Sequence, residues 1–544
     1  MLWLAALLSF LSRSDASALQ PPHASTYYVN CATGSDSATG TAAASPWRSL
    51  ARVSATTFAA GDSILLRRGT RCEGQLWPKG SGDTQRPIVV GSYGVGALPV
   101  IDAAGADAAI KLYDQEHWVI ETLETVGGSP YGVFVGGSKA DMHGLVLRNL
   151  VVHDVTGEPK SKVTGLVVVS ISGAAQLADV TIDGVFAYNT TQWAGIVVSG
   201  GWPTTRIRNV TVRNSIVHDV AGDGIILFTV EDGLIERSAA WRTGLQPVQT
   251  IGTPNAIWTW TCRRCTVRDT EGFFIDSPGV DGGVYDIDYG NEDNVVENNY
   301  GHDAMGYCVA VFAAESLVTT NSVVRGNTCI GNGRSPKLAK RQGDLFIYTW
   351  DGGALDGVRV ENNTFYWAPL VDAPVVMMDH ADYRGRRKNV LAGNRLYTGV
   401  SQPIVTRDSA MIARNTIAPF APLDVAPPRV PWRRYRLVLS ADDRSQVVPR
   451  DGARAVPGPS RRDARDDARD ARHRTRLEPA VCARRPQRSS KAWAPASRAG
   501  RARSGALVAL RTARPARAGA ATPPRGSITV QRTLAALPRR LSER

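Results

Sequence analysis

Residues 276–303 read DSPGVDGGVYDIDYGNEDNVVENNYGHD and hold both the repeating pattern of the chain and its densest run of acids. The segment reads as strand, turn, strand: GVYDIDYG from Gly283, a polar turn, then NVVENNYGHD from Asn294. Successive strand residues point to opposite faces, so Asp286 and Asp288 are expected on one face and Tyr285, Ile287 and Tyr289 on the other. Two acids on one face can serve as general acid and base for glycoside cleavage, or can bind a hard cation such as calcium. A solvated, turn-rich acidic loop is the plain alternative.

Outward from this stretch the same two patterns recur. Short β-branched runs follow a small residue or turn former: GLVVVS at Gly165, GIVVSG at Gly195, GIILFTV at Gly224, AIWTWTC at Ala256, YCVAVF at Tyr307, LFIYTW at Leu345 and VVMMDH at Val375. Their starts, with GVYDIDYG included, fall about 24 to 38 residues apart, the length of one solenoid coil with variable loops. A second series carries asparagine, as in NVVENNYGHDA, SVVRGNTCIGNG, VRVENNTFYW and NVLAGNRLY. Asparagines stacked at one turn can bond the backbone of neighbouring coils, so they are expected to form a structural ladder. No long stretch shows helical periodicity, which argues against a helical solenoid, and near-continuous apolar runs suit parallel strands around a filled interior.

Residues 26–102 are expected to form a strand-rich N-terminal cap: YYVN, a Gly-rich loop, a short helix at Trp47 to Phe58, then DSILLRRG and PIVVGSYG. With YYV, SPWRSL, GDSILLRRG and IVVGSYG preceding the repeats, the chain resembles the right-handed parallel β-helix superfamily, whose members include pectate lyases, polygalacturonases and other polysaccharide-cleaving enzymes. The resemblance implies an all-β fold, a right-handed parallel β-helix over residues 103–420. It also implies a ligand groove along the outside of one sheet, walled by loops from the turns.

Such a groove needs polar reagents beside apolar platforms. Aligning Asp223-Gly224 with Asp281-Gly282 predicts Phe228 beside Asp286 and Val230 beside Asp288, with Trp258, Trp260, Tyr348 and Trp350 as sugar platforms. Asp281, Asp286 and Asp288 are the candidate catalytic acids, and their exposure is expected because burying two carboxylates together is costly. His302 and Asp303 join them as a candidate acid–base pair, although His-Asp recurs at His153-Asp154 and His218-Asp219, which points to a turn feature. Asp379-His380 is a weaker candidate of the same kind.

Three functions compete. A glycoside hydrolase would use the paired aspartates. A pectate lyase-like enzyme would use Asp286 and Asp288 to hold calcium and would need a base, for which Arg263, Arg264 and Arg268 are the nearest groups. A non-catalytic carbohydrate-binding or adhesive solenoid would show aromatic platforms without converging acids. The expected partner is a polysaccharide, acidic in the lyase case; no other cofactor is implied, and a monomer is expected.

The net charge of +13 conceals two regions. From Arg429 onward there are 29 basic and 9 acidic residues, leaving 34 basic and 41 acidic before it. The body is acidic, so the chain is not expected to bind nucleic acid. Residues 429–544, rich in Arg, Ala and Pro, are expected to be disordered: a basic tail that adheres to acidic polymers or surfaces, an idle tail, or the product of a shifted reading frame. Residues 1–18 resemble a secretory signal ending at Ala16-Ser17-Ala18, which implies an exported protein, and no other segment is apolar enough to span a membrane. Of the seven cysteines, Cys31 and Cys72 suit a disulfide in such a compartment, and Cys262-Arg-Arg-Cys265 is expected to be buried rather than metal-binding.

Overall fold

The β-branched runs assemble into one parallel sheet. Gly165–Ile171, Ala194–Ser199, Ile225–Phe228, Ile257–Trp260, Tyr285–Ile287, Val309–Ala313, Leu345–Thr349 and Val376–Asp379 lie side by side in chain order within an eleven-stranded sheet. The asparagine-bearing runs pair in a second parallel sheet of 25 strands that forms the rest of each coil. The chain is a right-handed parallel β-helix. The computed structural model describes residues 24–245, 252–277, 281–338, 342–380, 389–407 and 412–419, plus the backbone of Tyr435–Leu437 and Val447–Pro449. The expected signal segment and, those two strands apart, the basic tail lie outside the described residues.

Stacking of like on like fills the interior. Ile196, Ile225, Ile257, Tyr285, Val309, Leu345 and Val376 follow one another in register and are fully buried. Each such side chain contributes roughly 1.5–3 kcal/mol on burial. Tyr285 fits only because its hydroxyl reaches the carbonyls of Thr270 at 3.1 Å and Tyr300 at 3.0 Å across the coil.

Asparagines form the expected ladder at one corner. The side-chain oxygens of Asn327, Asn363, Asn394 and Asn415 accept from the main-chain N–H of Asn299, Asn327, Asn363 and Asn394 in turn, at 2.9–3.0 Å. Each amide therefore pays the backbone of the coil below, which a buried corner must satisfy.

In the cap the helix is shorter than expected, Leu50–Ser54, with Ser49 accepting from the Arg52 N–H at its start. The β-branched Thr56 and Thr57 follow, which disfavour its continuation. Cys31 and Cys72 are disulfide-bonded, Cys262 and Cys265 are free and buried, and a second disulfide, Cys308–Cys329, was not foreseen. No helix among the described residues is long and apolar enough to cross a membrane.

Candidate active site

The outer face of the eleven-stranded sheet carries an acidic cluster between two apolar ones. One outward row runs Ile226, Trp258, Asp286, Ala310, Phe346 and Met377 across adjacent strands. In the next outward row Phe228 pairs with Trp260 and Phe312 with Tyr348. Asp288 continues the Tyr285–Ile287 strand between them, its main-chain N–H donating to the Thr259 carbonyl at 3.0 Å.

The pairing differs by two residues from the turn alignment, which set Phe228 beside Asp286 and Val230 beside Asp288. The hydrogen bonds from Ile225 to Ala256 and from Ile257 to Val284 make Gly224, Ala256 and Val284 equivalent, rather than Gly224 and Gly282. An even shift preserves the face of each side chain, so Trp258 and Trp260 stay with the acids. Val230 instead begins Val230–Glu236 in the larger sheet. Tyr289 also departs from expectation: the strand ends at Ile287, and its ring turns outward, edge-on to Trp260 at 5.7 Å and Trp350 at 5.9 Å.

Burial divides the acids in a way alternation could not. Asp281 and Asp288 are half-buried, whereas Asp286 is 2 % exposed, contrary to the expected exposure of that pair. Asp286 Oδ2 accepts from Asn255 Nδ2 at 3.3 Å, and its Oδ1 has no protein partner. Asn255 is the hub: its Oδ1 accepts from the Gly283 N–H and the Tyr307 hydroxyl, both at 3.0 Å, and its own N–H donates to Asp223 Oδ1 at 2.7 Å. Asp223, fully buried, also accepts from the Trp193 indole. Asp281 lies in a turn with φ of 63° and accepts from the Thr253 hydroxyl. Gly306 permits that turn, because a Cβ there would lie 2.1 Å from the Asp281 carbonyl oxygen.

Desolvation and mutual repulsion make the cluster hold protons. Burial, with Asp223 nearby and despite Lys162, pushes Asp281 up to about 7. Burial and the charge of Asp281, again opposed by Lys162, push Asp288 up to about 8. Burial and the charges of Asp288 and Asp281 push Asp286 well above the carboxylate range. Burial also raises Asp223, against Lys162 and its N–H donors. A group of like charges in a low-dielectric site cannot ionise together.

Lys162, which no sequence signal marked, comes from the loop between Asp141–Val155 and Gly165–Ile171. Its Nζ is 3.8 Å from Asp223 Oδ2 and 4.4 Å from the centroid of Trp258. Aromatic walls complete the site: Tyr348 stacks with Trp350 at 5.8 Å, and exposed Trp202 lies 4.9 Å from Trp260.

The other sequence candidates lie elsewhere. His302 is on Tyr300–His302 of the larger sheet, between Glu271 at 3.1 Å and Asp303 at 2.8 Å, and stacks on Phe273 at 4.8 Å. His302 and Asp303 are thus not joined to the acidic cluster. Asp154, Asp219 and Asp303 all adopt left-handed backbone, with φ of 59°, 56° and 57°, and each accepts or shares a hydrogen bond with the histidine before it. Arg263, Arg264 and Arg268 pair with Glu231, Glu292, Asp232 and Glu236. Asp379 pairs with Arg407.

Calcium fits the cluster poorly. Such an ion needs several converging oxygens. Among the described residues no three of the site carboxylates bring oxygens within 4.8 Å of one another, and an ammonium shares the space. Cys308, Cys329 and Asp344 do converge to that distance, but the two cysteines are bonded to each other.

The fold is a solenoid whose acidic and aromatic residues gather on the outer face of one sheet. A family described as "Right handed beta helix region" matches residues 105–365, in keeping with the right-handed parallel β-helix fold of the chain. A lacto-N-biosidase from Bifidobacterium longum subsp. longum is 23% identical over 330 residues, 55% of this chain and 19% of that protein. The chain therefore spans about one fifth of the length of that curated relative. The GH136 lacto-N-biosidase from Eubacterium ramulus superposes with a TM-score of 0.54 at 19% identity, over 73% of this chain and 68% of that one. An alginate lyase from Paenibacillus sp. has a TM-score of 0.37 at 16% identity, over 59% of this chain and 94% of that one.

Proposed function

We propose that this protein is a carbohydrate-active enzyme that hydrolyses glycosidic bonds, with Asp281 and Asp288 as the reacting carboxylates. One observation carries the proposal: both are half-buried on the aromatic-walled face and hold protons near neutral pH, at about 7 and about 8. Hydrolysis needs one carboxyl protonated to release the leaving oxygen and one ionised to attack the anomeric carbon or activate water. Two acids whose proton affinities are raised into the neutral range provide that state. Asp286, out of reach of a sugar at 2 % exposure, sits behind them as a proton-bearing support. The likeness to the two lacto-N-biosidases supports hydrolysis over elimination.

Elimination has one observation in its favour, the Lys162 ammonium as a basic group in the cleft. That ammonium is engaged by Asp223 at 3.8 Å, which opposes a role as base. A purely adhesive surface has no use for acids held with raised proton affinity on its face. Export belongs to the same proposal, since an extracellular glycan would be the substrate of such an enzyme.

The test is product analysis of the full chain on a panel of neutral and acidic oligosaccharides. New reducing ends without ultraviolet-absorbing unsaturated ends are expected. Unsaturated products would replace hydrolysis with elimination, and retention of a glycan without cleavage would favour the adhesive alternative.

A further inference from the structure

Lys162 is built into the site rather than lying across it. Its stem runs against Gly252, where a Cβ would come within 2.7 Å of the lysine Cε. Its ammonium lies over the rings of Trp258 at 4.4 Å and Trp193 at 5.5 Å, and both indoles belong to the apolar cluster flanking the acids. Cation–π contact and the 3.8 Å approach to Asp223 hold a long, otherwise mobile side chain in one place. Asp223 is equally constrained. Its oxygens accept from the Asn255 N–H and the Trp193 indole and lie near this ammonium, three donors that oppose the upward pull of burial on its carboxyl.

We propose that Lys162 is a positioning residue of the site: held by Asp223 and two indoles, its ammonium supplies the positive charge against which Asp281, Asp286 and Asp288 ionise. The catalytic consequence rests on the hydrolase reading above. Charge is needed for this, not merely bulk, since the same ammonium opposes the upward pull of burial at all four acids. The charged and titratable groups facing it are those four aspartates, with Tyr307 bonded through Asn255 and Glu315 farther out beyond Tyr289. Among these groups Lys162 is the one cation.

The test compares Lys162→Gln and Lys162→Met with Lys162→Arg in the full chain, folding being checked by melting curves. Loss of the charge is expected to move both limbs of the kcat/KM profile upward by about one pH unit, as removal of a neighbouring opposite charge does. Activity below the optimum then falls about tenfold and recovers at higher pH, while Lys162→Arg keeps the wild-type profile. A lysine that only packs on Trp258 would lower activity at every pH without moving either limb, and that result overturns the proposal. Carboxyl titration by NMR on aspartate-labelled protein keeps the two claims separate. An upward move of the Asp281 and Asp288 midpoints in Lys162→Gln supports the role of Lys162 even in a protein that cleaves nothing. Unmoved midpoints overturn it even in an active hydrolase.

Discussion

Trp258 and Asp286 are direct register partners on adjacent strands, an indole and a carboxyl side by side on the outside of the same sheet. Both are nearly inaccessible, at 3 % and 2 % exposure, and neither the Trp258 indole nitrogen nor Asp286 Oδ1 has a full hydrogen-bond partner. A buried, under-satisfied acid beside an apolar ring keeps its proton.

Asp286→Asn should therefore stabilise the fold as pH rises. The folded protein binds this proton more tightly than the unfolded chain, so wild-type stability falls with rising pH from about 4 until the folded group ionises. Each unit in that window costs the wild type up to ~1.4 kcal/mol that the asparagine variant does not lose. Melting curves at pH 5 and pH 8 should show the gain larger at pH 8. An equal or smaller gain there would mean that Asp286 is ionised in the fold.

Trp260 meets Phe228 and Tyr289 edge-on and exposed Trp202 at a tilt, forming one wall beside Asp288. Trp260→Ala is expected to raise KM about tenfold, equivalent to ~1.4 kcal/mol of lost sugar contact, with a smaller change in kcat. A loss confined to kcat would place this ring at the chemistry instead.

His302 should prove structural. Glu271 and Asp303 raise its proton affinity despite burial, so its contribution is present below the unfolded value near 6.5 and is lost as pH rises through the folded value. His302→Gln is expected to destabilise more at pH 5.5 than at pH 8.5, leaving the shape of the activity profile unchanged. A vanished limb in that profile would return His302 to the catalytic set.

Asn363 accepts from both the main-chain and side-chain nitrogens of Asn327 and donates to Val324 and Asn394. Asn363→Ala leaves a buried N–H unpaired and should cost ~2–3 kcal/mol, read as a lowered denaturation midpoint. A neutral result would mean that water replaces the ladder.

The coil was legible because its cause is local. The β-branched runs and corner asparagines repeat at coil length, and alternation alone put Asp286, Asp288, Trp258 and Trp260 on one face. What failed depends on turns and loops. The two-residue shift of pairing comes from the conformation before Ala256 and Val284, and the outward Tyr289 from the strand ending at Ile287. The partition into buried Asp286 and accessible Asp281 and Asp288 needs the three-dimensional surroundings of each acid. Lys162 and the Asn255 hub carry no motif, since both act across coils about 30 residues apart or more in sequence, as the Asn255–Asp286 and Lys162–Asp223 contacts show. The His-Asp pair misled by chemistry alone: the dipeptide suits catalysis and equally suits a left-handed corner after a strand.

The most direct test follows release of reducing ends from an oligosaccharide that the full chain cleaves, comparing wild type with Asp281→Asn, Asp288→Asn and Asp286→Asn. Asp281→Asn and Asp288→Asn should each lose at least a thousandfold in kcat at wild-type-like stability, roughly the scale of a missing acid or nucleophile. Asp286→Asn should lose about tenfold or less. Full activity in either Asp281→Asn or Asp288→Asn would contradict the assignment of that pair as the reacting acids.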